Sequence, residues 1–278
     1  MIHVRRFTDA TEFARVVTPF LLRHEATNNL GFRILGRLAA GAQPVPPDTY
    51  LAAALASPRG DAAVVGVAMR TPPYNVCLAY PSRNAIDALV ADACAFGPLP
   101  GVFGESVDAR AFAARWTESR NGRSRRAMAL RVHELTTVNG LPAEGVLRAA
   151  TPADVRLLSG WMKDFYAEAA PGDPPPPETL SDLNGLYIWN VDGGSVTMVR
   201  GLPSTPRIAV VNAVYTPPTY RRRGHATAAV AALSTGLLAE GRCACVLFTD
   251  LANPTSNAIY RRIGYVPGAD FENIVFET

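Results

Sequence analysis

Residues 207–241 read as a strand, a turn rich in proline and arginine, and a helix. The apolar strand RIAVVNAVYT (207–216) closes with two prolines, which cannot continue it. The motif Arg221-Arg222-Arg223-Gly224-His225-Ala226 then opens a helix with apolar residues at helical spacing. Glycine lets backbone N–H groups approach an anion closely, and no Ser, Thr, Asp or Asn is positioned to cap this helix. The segment therefore predicts a pyrophosphate site; the alternative is an ordinary helix start with a solvated arginine run.

A second helix carries a polar stripe in LANPTSNAIYRRIGY (251–265). Its predicted cap is Asn253, its first residue is Pro254, and Gly264 follows its end. At about 100° per residue, one face collects two amides, a hydroxyl and a phenol: Asn253, Ser256, Asn257 and Tyr260. Such a stripe favours a ligand-facing surface; the alternative is a polar outer face with a half-buried tyrosine.

The two halves of the 278-residue chain share one order of predicted elements: strand, helix, strands, helix, strand, helix, strand. The similar openings Thr8-Asp9-Ala10 and Thr151-Pro152-Ala153 begin the first helix of each half. We therefore expect an α/β fold of two related domains, each a central mixed sheet flanked by helices. The turn-rich segment 136–145 separates them, which gives predicted domains 1–140 and 141–278.

Hydrophobic periodicity and turn residues predict the elements of each half. In the first half these are strands at 3–8, 62–71, 75–80, 101–104 and 127–135, and helical regions at 9–40, 84–96 and 108–120. In the second half they are strands at 146–150, 186–190, 196–200, 207–216, 242–249 and 264–277, and helices at 152–169, 224–240 and 254–263. Loops are predicted at 41–50 and 170–179, which are rich in proline.

Composition and charge exclude several classes of protein. A hydrophobic fraction of 48% and 27 basic against 24 acidic residues suit a soluble globular chain. The basic residues form no stripe that would bind nucleic acid, and no apolar run is long enough to span a membrane. The four cysteines, Cys77, Cys94, Cys243 and Cys245, lack zinc-site spacing and are predicted to be reduced core residues. This predicts a cytoplasmic protein without a metal site, as a monomer or a dimer.

Together, the two motifs resemble the GNAT superfamily of N-acetyltransferases. Its phosphate-loop signature, [Q/R]-x-x-G-x-[G/A] after the fourth strand, is matched by Arg221, Gly224 and Ala226. Its later signature is an Asn after the fifth strand, a Tyr seven residues on, and then Gly-[Phe/Tyr]. Asn253, Tyr260 and Gly264-Tyr265 match it. The resemblance covers roughly residues 145–278 and implies acetyl-CoA as the cosubstrate.

The resemblance also implies roles for individual residues. The strand end Val214-Tyr215-Thr216 would bond to the pantetheine arm through its backbone, and Val214 N–H would polarise the thioester carbonyl. The loop Arg221-Arg222-Arg223-Gly224-His225-Ala226-Thr227 would hold the pyrophosphate. Asn253, Ser256 and Asn257 would face the cofactor. Tyr260 would protonate the leaving thiolate, since a phenol stays protonated at neutral pH.

The sequence departs from this family in its general base and in its first half. Many relatives carry a glutamate in or near the fourth strand, whereas residues 207–216 contain no carboxylate. Asp250 is a weak candidate base, with a competing role in bonding the loop before Asn253; Asp164, Glu168 and His225 are further candidates. In the first half, the segment 80–85 lacks the glycine of a phosphate loop, so this half resembles a degenerate GNAT domain.

Two classes of function follow from the resemblance. The first is an acyltransferase that moves an acetyl group from acetyl-CoA to a primary amine of a small molecule or peptide. The second is a non-catalytic acyl-CoA-binding sensor or scaffold. Tyr260 favours the enzyme, because a binding module needs no acid at the sulfur.

Overall fold

The computed structural model describes residues 2–40, 47–56, 63–79, 81–140, 144–169 and 178–277. Several predictions extend beyond these residues: most of the loops at 41–50 and 170–179, Ala62, Tyr80, and residues 141–143 of the predicted boundary. No helix in the described part of the chain is both long and apolar enough to cross a membrane.

The chain forms two compact units, both discontinuous in sequence. Unit 1 comprises Met1–Arg131, Asp250–Ala252 and Ala269–Thr278, and unit 2 comprises Val132–Thr249 and Asn253–Gly268. A single boundary at residue 140 does not describe this division, because the last strand of the chain completes the sheet of unit 1. Both units are mixed α/β, with a sheet covered by helices.

Unit 1 is built on a mixed sheet with the order β1-β2-β3-β4-β5-β12. Its strands are β1 Ile2–Arg6, β2 Tyr50–Ala56, β3 Ala63–Arg70, β4 Val76–Ala79, β5 Gly101–Glu105 and β12 Val266–Glu277; β6 Arg123–Leu135 begins in this unit. Its helices are α1 Ala10–Leu21, α2 Asn29–Ala40, α3 Arg83–Phe96 and α4 Ser106–Arg120, with a 3-10 turn at Leu22–His24. The pair β4 and β5 is parallel, and the pairs β1–β2, β2–β3, β3–β4 and β5–β12 are antiparallel.

The strand β2 was not among the predicted elements, and its burial explains why. In YLAAALA alternate side chains enter two cores, Tyr50 and Ala52 on one face of the sheet and Leu51 and Ala53 on the other. Because helices cover both faces, the strand has no polar alternation. Alanine and leucine also favour helices, so local preference and tertiary context disagree here.

Unit 2 has the strand order β11-β10-β9-β8-β7. Its strands are β7 Val146–Ala149, β8 Leu186–Val191, β9 Gly194–Pro203, β10 Ile208–Tyr215 and β11 Ala244–Asp250. Its helices are α5 Val155–Ala169, α6 His225–Ala239 and α7 Pro254–Ile263, with 3-10 turns at Pro152–Asp154 and Pro218–Tyr220. One core lies under α6 and α7, and a second lies between α5 and the other face of the sheet. The second-half predictions agree with these elements to within a few residues.

The cysteine prediction was wrong for Cys243. Cys77 and Cys245 are buried and Cys94 is partly buried, but Cys243 is exposed because it precedes the first residue of β11. All four are free thiols. No group of three potential metal-ligating side chains occurs among the residues that the structure describes.

Candidate functional site

The strands β10 and β11 of unit 2 separate along their length. Their parallel ladder pairs Ile208, Ala209 and Val210 with Ala244, Cys245 and Val246. Within the described residues no further pair is formed between them, although β10 continues to Tyr215. The second half of β10 therefore has an edge that is open on the β11 side. Backbone N–H and C=O groups on such an edge are available to a ligand.

A β-bulge redirects the end of β10. Against β9, Asn212 pairs with Arg200 and Tyr215 pairs with Met198, so β10 contains one extra residue between these pairs. Ala213 lies in this bulge with a φ of +48°, a left-handed conformation that is uncommon for a residue with a side chain. As a result Val211 packs towards α6, whereas Ala213 and Tyr215 pack towards α5. The sequence predicted the strand but not the bulge, since no glycine marks it.

The turn after β10 presents unpaired backbone N–H groups. Gly224 caps α6 with a φ of +82° and, as predicted, provides no side-chain cap. The first hydrogen bond into α6 runs from Ala228 N–H to Gly224 C=O. Among the described residues, no acceptor faces the backbone N–H groups of residues 225–227. This is the arrangement that binds anions at helix N-termini, and a Cβ on Gly224 would meet no atom within 4 Å.

The three arginines of this turn have different environments. Arg222 and Arg223 are exposed, and neither makes a hydrogen bond or ion pair with a described residue. Arg222 also has a φ of +64°, so it holds a conformation that glycine would adopt with less strain. Arg221 is also exposed but is bonded within the chain, by Glu168 of α5 and the backbone carbonyl of Thr216.

The helix α7 begins and ends as the sequence predicts, but part of its polar stripe has internal partners. Asn253 Oδ1 accepts a bond from Ser256 N–H at 3.0 Å, which makes it the N-cap. Asn257 accepts from Thr249 Oγ1 at 2.7 Å and donates to Asn253 C=O at 2.8 Å. Asn257 therefore ties α7 to the end of β11. The hydroxyl of Ser256 makes no hydrogen bond with a described residue, so Ser256 and the amide nitrogen of Asn253 retain hydrogen-bonding capacity.

Tyr260 is buried in the core under α7. Only 8% of its surface is exposed, and burial raises its pKa to about 12. Its ring packs at 5.8 Å from that of Tyr265 and at 6.5 Å from that of His133. The part of the chain that the structure describes gives its hydroxyl no hydrogen-bond partner, and this hydroxyl is not one of the fully enclosed unpaired polar atoms. The phenol is therefore a protonated donor with an unused bond.

Each carboxylate that was a candidate base is hydrogen-bonded within the chain, and the candidate His225 lies at the start of α6. Asp250 Oδ1 accepts a bond from Ala252 N–H at 2.8 Å, the structural alternative that the sequence had suggested. Asp164 Oδ2 accepts from the Tyr215 hydroxyl at 3.3 Å, and Glu168 binds Arg221. His225 is the first residue of α6, directly after the turn with the unpaired N–H groups. The buried His133 was not singled out from the sequence, where it lies in the polar strand β6 with no motif around it.

The corresponding turn of unit 1 is closed. Pro81 packs against β3, where a Cβ on Gly66 would come within 2.9 Å of the Pro81 backbone. Ser82 N–H donates to Val65 C=O at 2.8 Å, so this amide is already paired. Ser82 is the N-cap residue of α3, although its side chain makes no capping bond, and no residue of the turn between Pro81 and Ala85 has a positive φ. The open backbone geometry of residues 222–227 is thus absent from this described part of unit 1.

Comparisons with known proteins agree with this fold. The family described as FR47-like protein matches residues 191–270. A solved Drosophila protein aligns with 99% of this chain and 98% of its own, at a TM-score of 0.65 and 13% identity. A GCN5-related N-acetyltransferase from Sphaerobacter thermophilus aligns with 99% of this chain and 95% of its own, at a TM-score of 0.60 and 15% identity. An acetyltransferase of the GNAT family from Colwellia psychrerythraea aligns with 99% of this chain and 98% of its own, at a TM-score of 0.57 and 11% identity. No curated protein matches the sequence significantly.

Proposed function

We propose that this chain is a GNAT superfamily protein and that its unit 2 transfers an acetyl group from acetyl-CoA to a primary amine of a small molecule or peptide. One observation carries the proposal. The open edge of β10 leads directly into an uncapped helix N-terminus with unpaired N–H groups and two free arginines among the described residues. A ligand with an amide-rich arm attached to a pyrophosphate suits this order of groups.

The residues of unit 2 fit acetyl-CoA on physical grounds. The backbone of Val214 offers a donor and an acceptor to the pantetheine amides along the open edge, and Thr216 offers its N–H, because Thr216 C=O already accepts from Arg221. The unpaired N–H groups of residues 225–227 would donate to the pyrophosphate, and Arg222 and Arg223 would add charge-assisted bonds. Ser256 and Asn253 at the start of α7 retain the capacity to contact the arm of the cofactor.

Bound acetyl-CoA would supply an activated acyl thioester. The chain's own contribution is to orient that group and to stabilise charge as it develops. Val214 N–H, which lies in the bulge beside Ala213, would donate to the thioester carbonyl oxygen and stabilise negative charge there. Tyr260 donates its O–H to the departing sulfur. With a pKa near 12, it acts by a strong hydrogen bond rather than by complete loss of its proton, because a thiol is the stronger acid.

The proposed reaction uses no side-chain base. Asp250, Asp164 and Glu168 each have a partner within the chain, and His225 lies in the phosphate-binding turn. The acceptor amine therefore reacts as its free base. As its nitrogen bonds to the acyl carbon and the C–S bond breaks, the nitrogen would release one proton to water and CoA would leave as the thiolate, hydrogen-bonded by Tyr260. A rate that follows the ionisation of the acceptor supports this mechanism.

A non-catalytic acyl-CoA sensor is the second candidate, favoured because each carboxylate that could act as the base is bonded elsewhere in the described structure. Tyr260 distinguishes the two, because a sensor gains nothing from an unpaired phenol beside the sulfur. The direct test is a panel of primary amines, assayed with the full chain for release of free CoA. Amine-dependent release supports the enzyme. Binding of acetyl-CoA without release for any amine, peptide N-termini included, would contradict it.

A further inference from the structure

Arg221 is the first residue of the phosphate-loop motif, yet it is held from several sides by its own protein. Its Nη2 donates to both carboxylate oxygens of Glu168 at 2.8 Å, and its Nε donates to Thr216 C=O at 2.8 Å. The guanidinium carbon also lies 5.6 Å from the centre of the Tyr215 ring. These contacts fix the side chain towards α5.

Besides the bond from Glu168 to Arg221, a second hydrogen bond connects α5 to the end of β10. Asp164, four residues before Glu168 and on the same helical face, accepts a bond from the Tyr215 hydroxyl at 3.3 Å. Tyr215 packs against Trp161 of α5, with ring centroids 6.5 Å apart. The path from α5 to the anion-binding turn is therefore short: Glu168 to Arg221, and Arg221 to the turn itself.

We propose that Arg221 is a positioning residue, clamped by Glu168 so that the turn at 222–227 keeps its open backbone, and that Arg222 and Arg223 are the cations that contact the pyrophosphate. The inference rests on the proposed cofactor site. Glu168 neutralises Arg221, which leaves that side chain little net charge to offer a phosphate. Arg222 and Arg223 have no such carboxylate among the described residues.

The clamp makes the affinity for CoA depend on α5, a helix that does not touch the phosphates in this arrangement. An exposed ion pair alone contributes little to stability. Here the pair acts on a turn whose residue Arg222 has a positive φ, so its loss allows the turn to relax. The expected result is weaker cofactor binding in a chain that is still folded.

A charge swap tests this assignment, with calorimetric titration of CoA into the full chain. Arg221→Glu places two carboxylates together and should weaken binding at least ~10-fold. The double variant Arg221→Glu/Glu168→Arg rebuilds the pair with the charges exchanged and should return the Kd to within ~3-fold of wild type. A double variant as weak as Arg221→Glu would show that Arg221 contacts the phosphate itself. Thermal unfolding without ligand checks that each variant is folded.

A matched pair of neutral variants gives a second readout. Glu168→Gln and Asp164→Asn each remove one negative charge from the same face of α5. The clamp predicts that Glu168→Gln weakens CoA binding ~3-fold relative to Asp164→Asn and raises KM for acetyl-CoA with kcat unchanged. Tighter binding by Glu168→Gln than by Asp164→Asn would overturn the inference, because a released Arg221 would then be serving the phosphate. No binding by the wild-type chain would overturn the proposed function as well.

Discussion

Tyr260 and Tyr265 meet edge to face, with ring centroids 5.8 Å apart, but only one of them has a partner for its hydroxyl among the described residues. Tyr265 shares a hydrogen bond of 2.9 Å with the buried Ser234. The hydroxyl of Tyr260 bonds to no residue that the structure describes. The hydroxyl of Tyr260 is not fully enclosed, so it keeps an unused donor that the proposed mechanism directs to the thioester sulfur.

Tyr260→Phe should therefore lower kcat ~10²-fold, the low end of the contribution of a positioned proton donor. Affinity for acetyl-CoA should barely change, because the ring and its packing remain. The measurement is turnover of a verified acceptor beside calorimetric titration of acetyl-CoA. A variant that turns over at the parental rate would make water the proton donor.

Tyr265→Phe is the matched control, because it removes one phenol hydroxyl from the ring that packs against Tyr260. It removes the partner of Ser234 inside the core and should lower the free energy of unfolding by about 1–2 kcal/mol. Activity per folded molecule should stay near the parental value. The reverse pattern, lost turnover in Tyr265→Phe and lost stability in Tyr260→Phe, would exchange the roles of the two residues.

The rate should not fall at alkaline pH through ionisation of Tyr260. Burial raises its pKa to about 12, so the phenol stays protonated well above pH 10. Because the amine reacts as its free base, kcat/KM should rise with pH up to the pKa of the acceptor and then level off. Initial rates between pH 7 and about pH 10.5, corrected for spontaneous thioester hydrolysis, test this. A descending limb near pH 10 in the wild type that is absent from Tyr260→Phe would contradict it.

The sequence predicted the parts of the site that depend on local chemistry. Asn253 caps α7 and α6 begins without a side-chain cap, both as expected, because a cap is set by the residue type at one position. The bulge at Ala213 and the separation of β10 from β11 depend instead on register with neighbouring strands, which no local pattern encodes. The sequence likewise did not predict that Arg221 pairs with Glu168, because Glu168 comes from a helix distant in sequence.

Arg222→Gly should raise the stability of the chain and lower its affinity for acetyl-CoA. Glycine adopts the φ of +64° without strain, which should raise the free energy of unfolding by about 0.5–1 kcal/mol. Loss of the guanidinium should weaken acetyl-CoA binding ~10-fold.

Arg223→Gly is the control for that change, because it removes the same charge where φ is not positive. It should weaken binding comparably but lower stability slightly, since glycine adds freedom to the unfolded chain. Denaturant unfolding and calorimetry measure both effects. Equal stability changes in the two variants would mean that the conformation of Arg222 stores no strain.

Unit 1 should become less stable as the pH rises through the titration of Asp108. Burial, with a smaller effect of Glu105, raises the Asp108 pKa to about 6. An acid with a raised pKa in the folded state binds its proton more tightly there, so stability is lost between about pH 4 and pH 6. Asp108→Asn should be more stable than wild type at pH 7.5 and similar to it at pH 4. If the denaturant midpoints of Asp108→Asn and wild type differed by the same amount at pH 4 and pH 7.5, the raised pKa of Asp108 would be contradicted.

Titration calorimetry of acetyl-CoA with the full chain tests the account most directly, using wild type, Gly224→Glu and Gly236→Glu. Both substitutions add one carboxylate to α6 or its cap, and a Cβ at either position would meet no atom within 4 Å. Gly236 is remote from the turn, whereas Gly224 has a φ of +82° that strains any side chain, so thermal unfolding must show that Gly224→Glu is folded. We predict one site per chain in wild type and in Gly236→Glu, and no detectable binding by folded Gly224→Glu. Two equivalent sites per chain, or an unchanged Kd in a folded Gly224→Glu variant, would show that the turn of unit 2 does not hold the pyrophosphate.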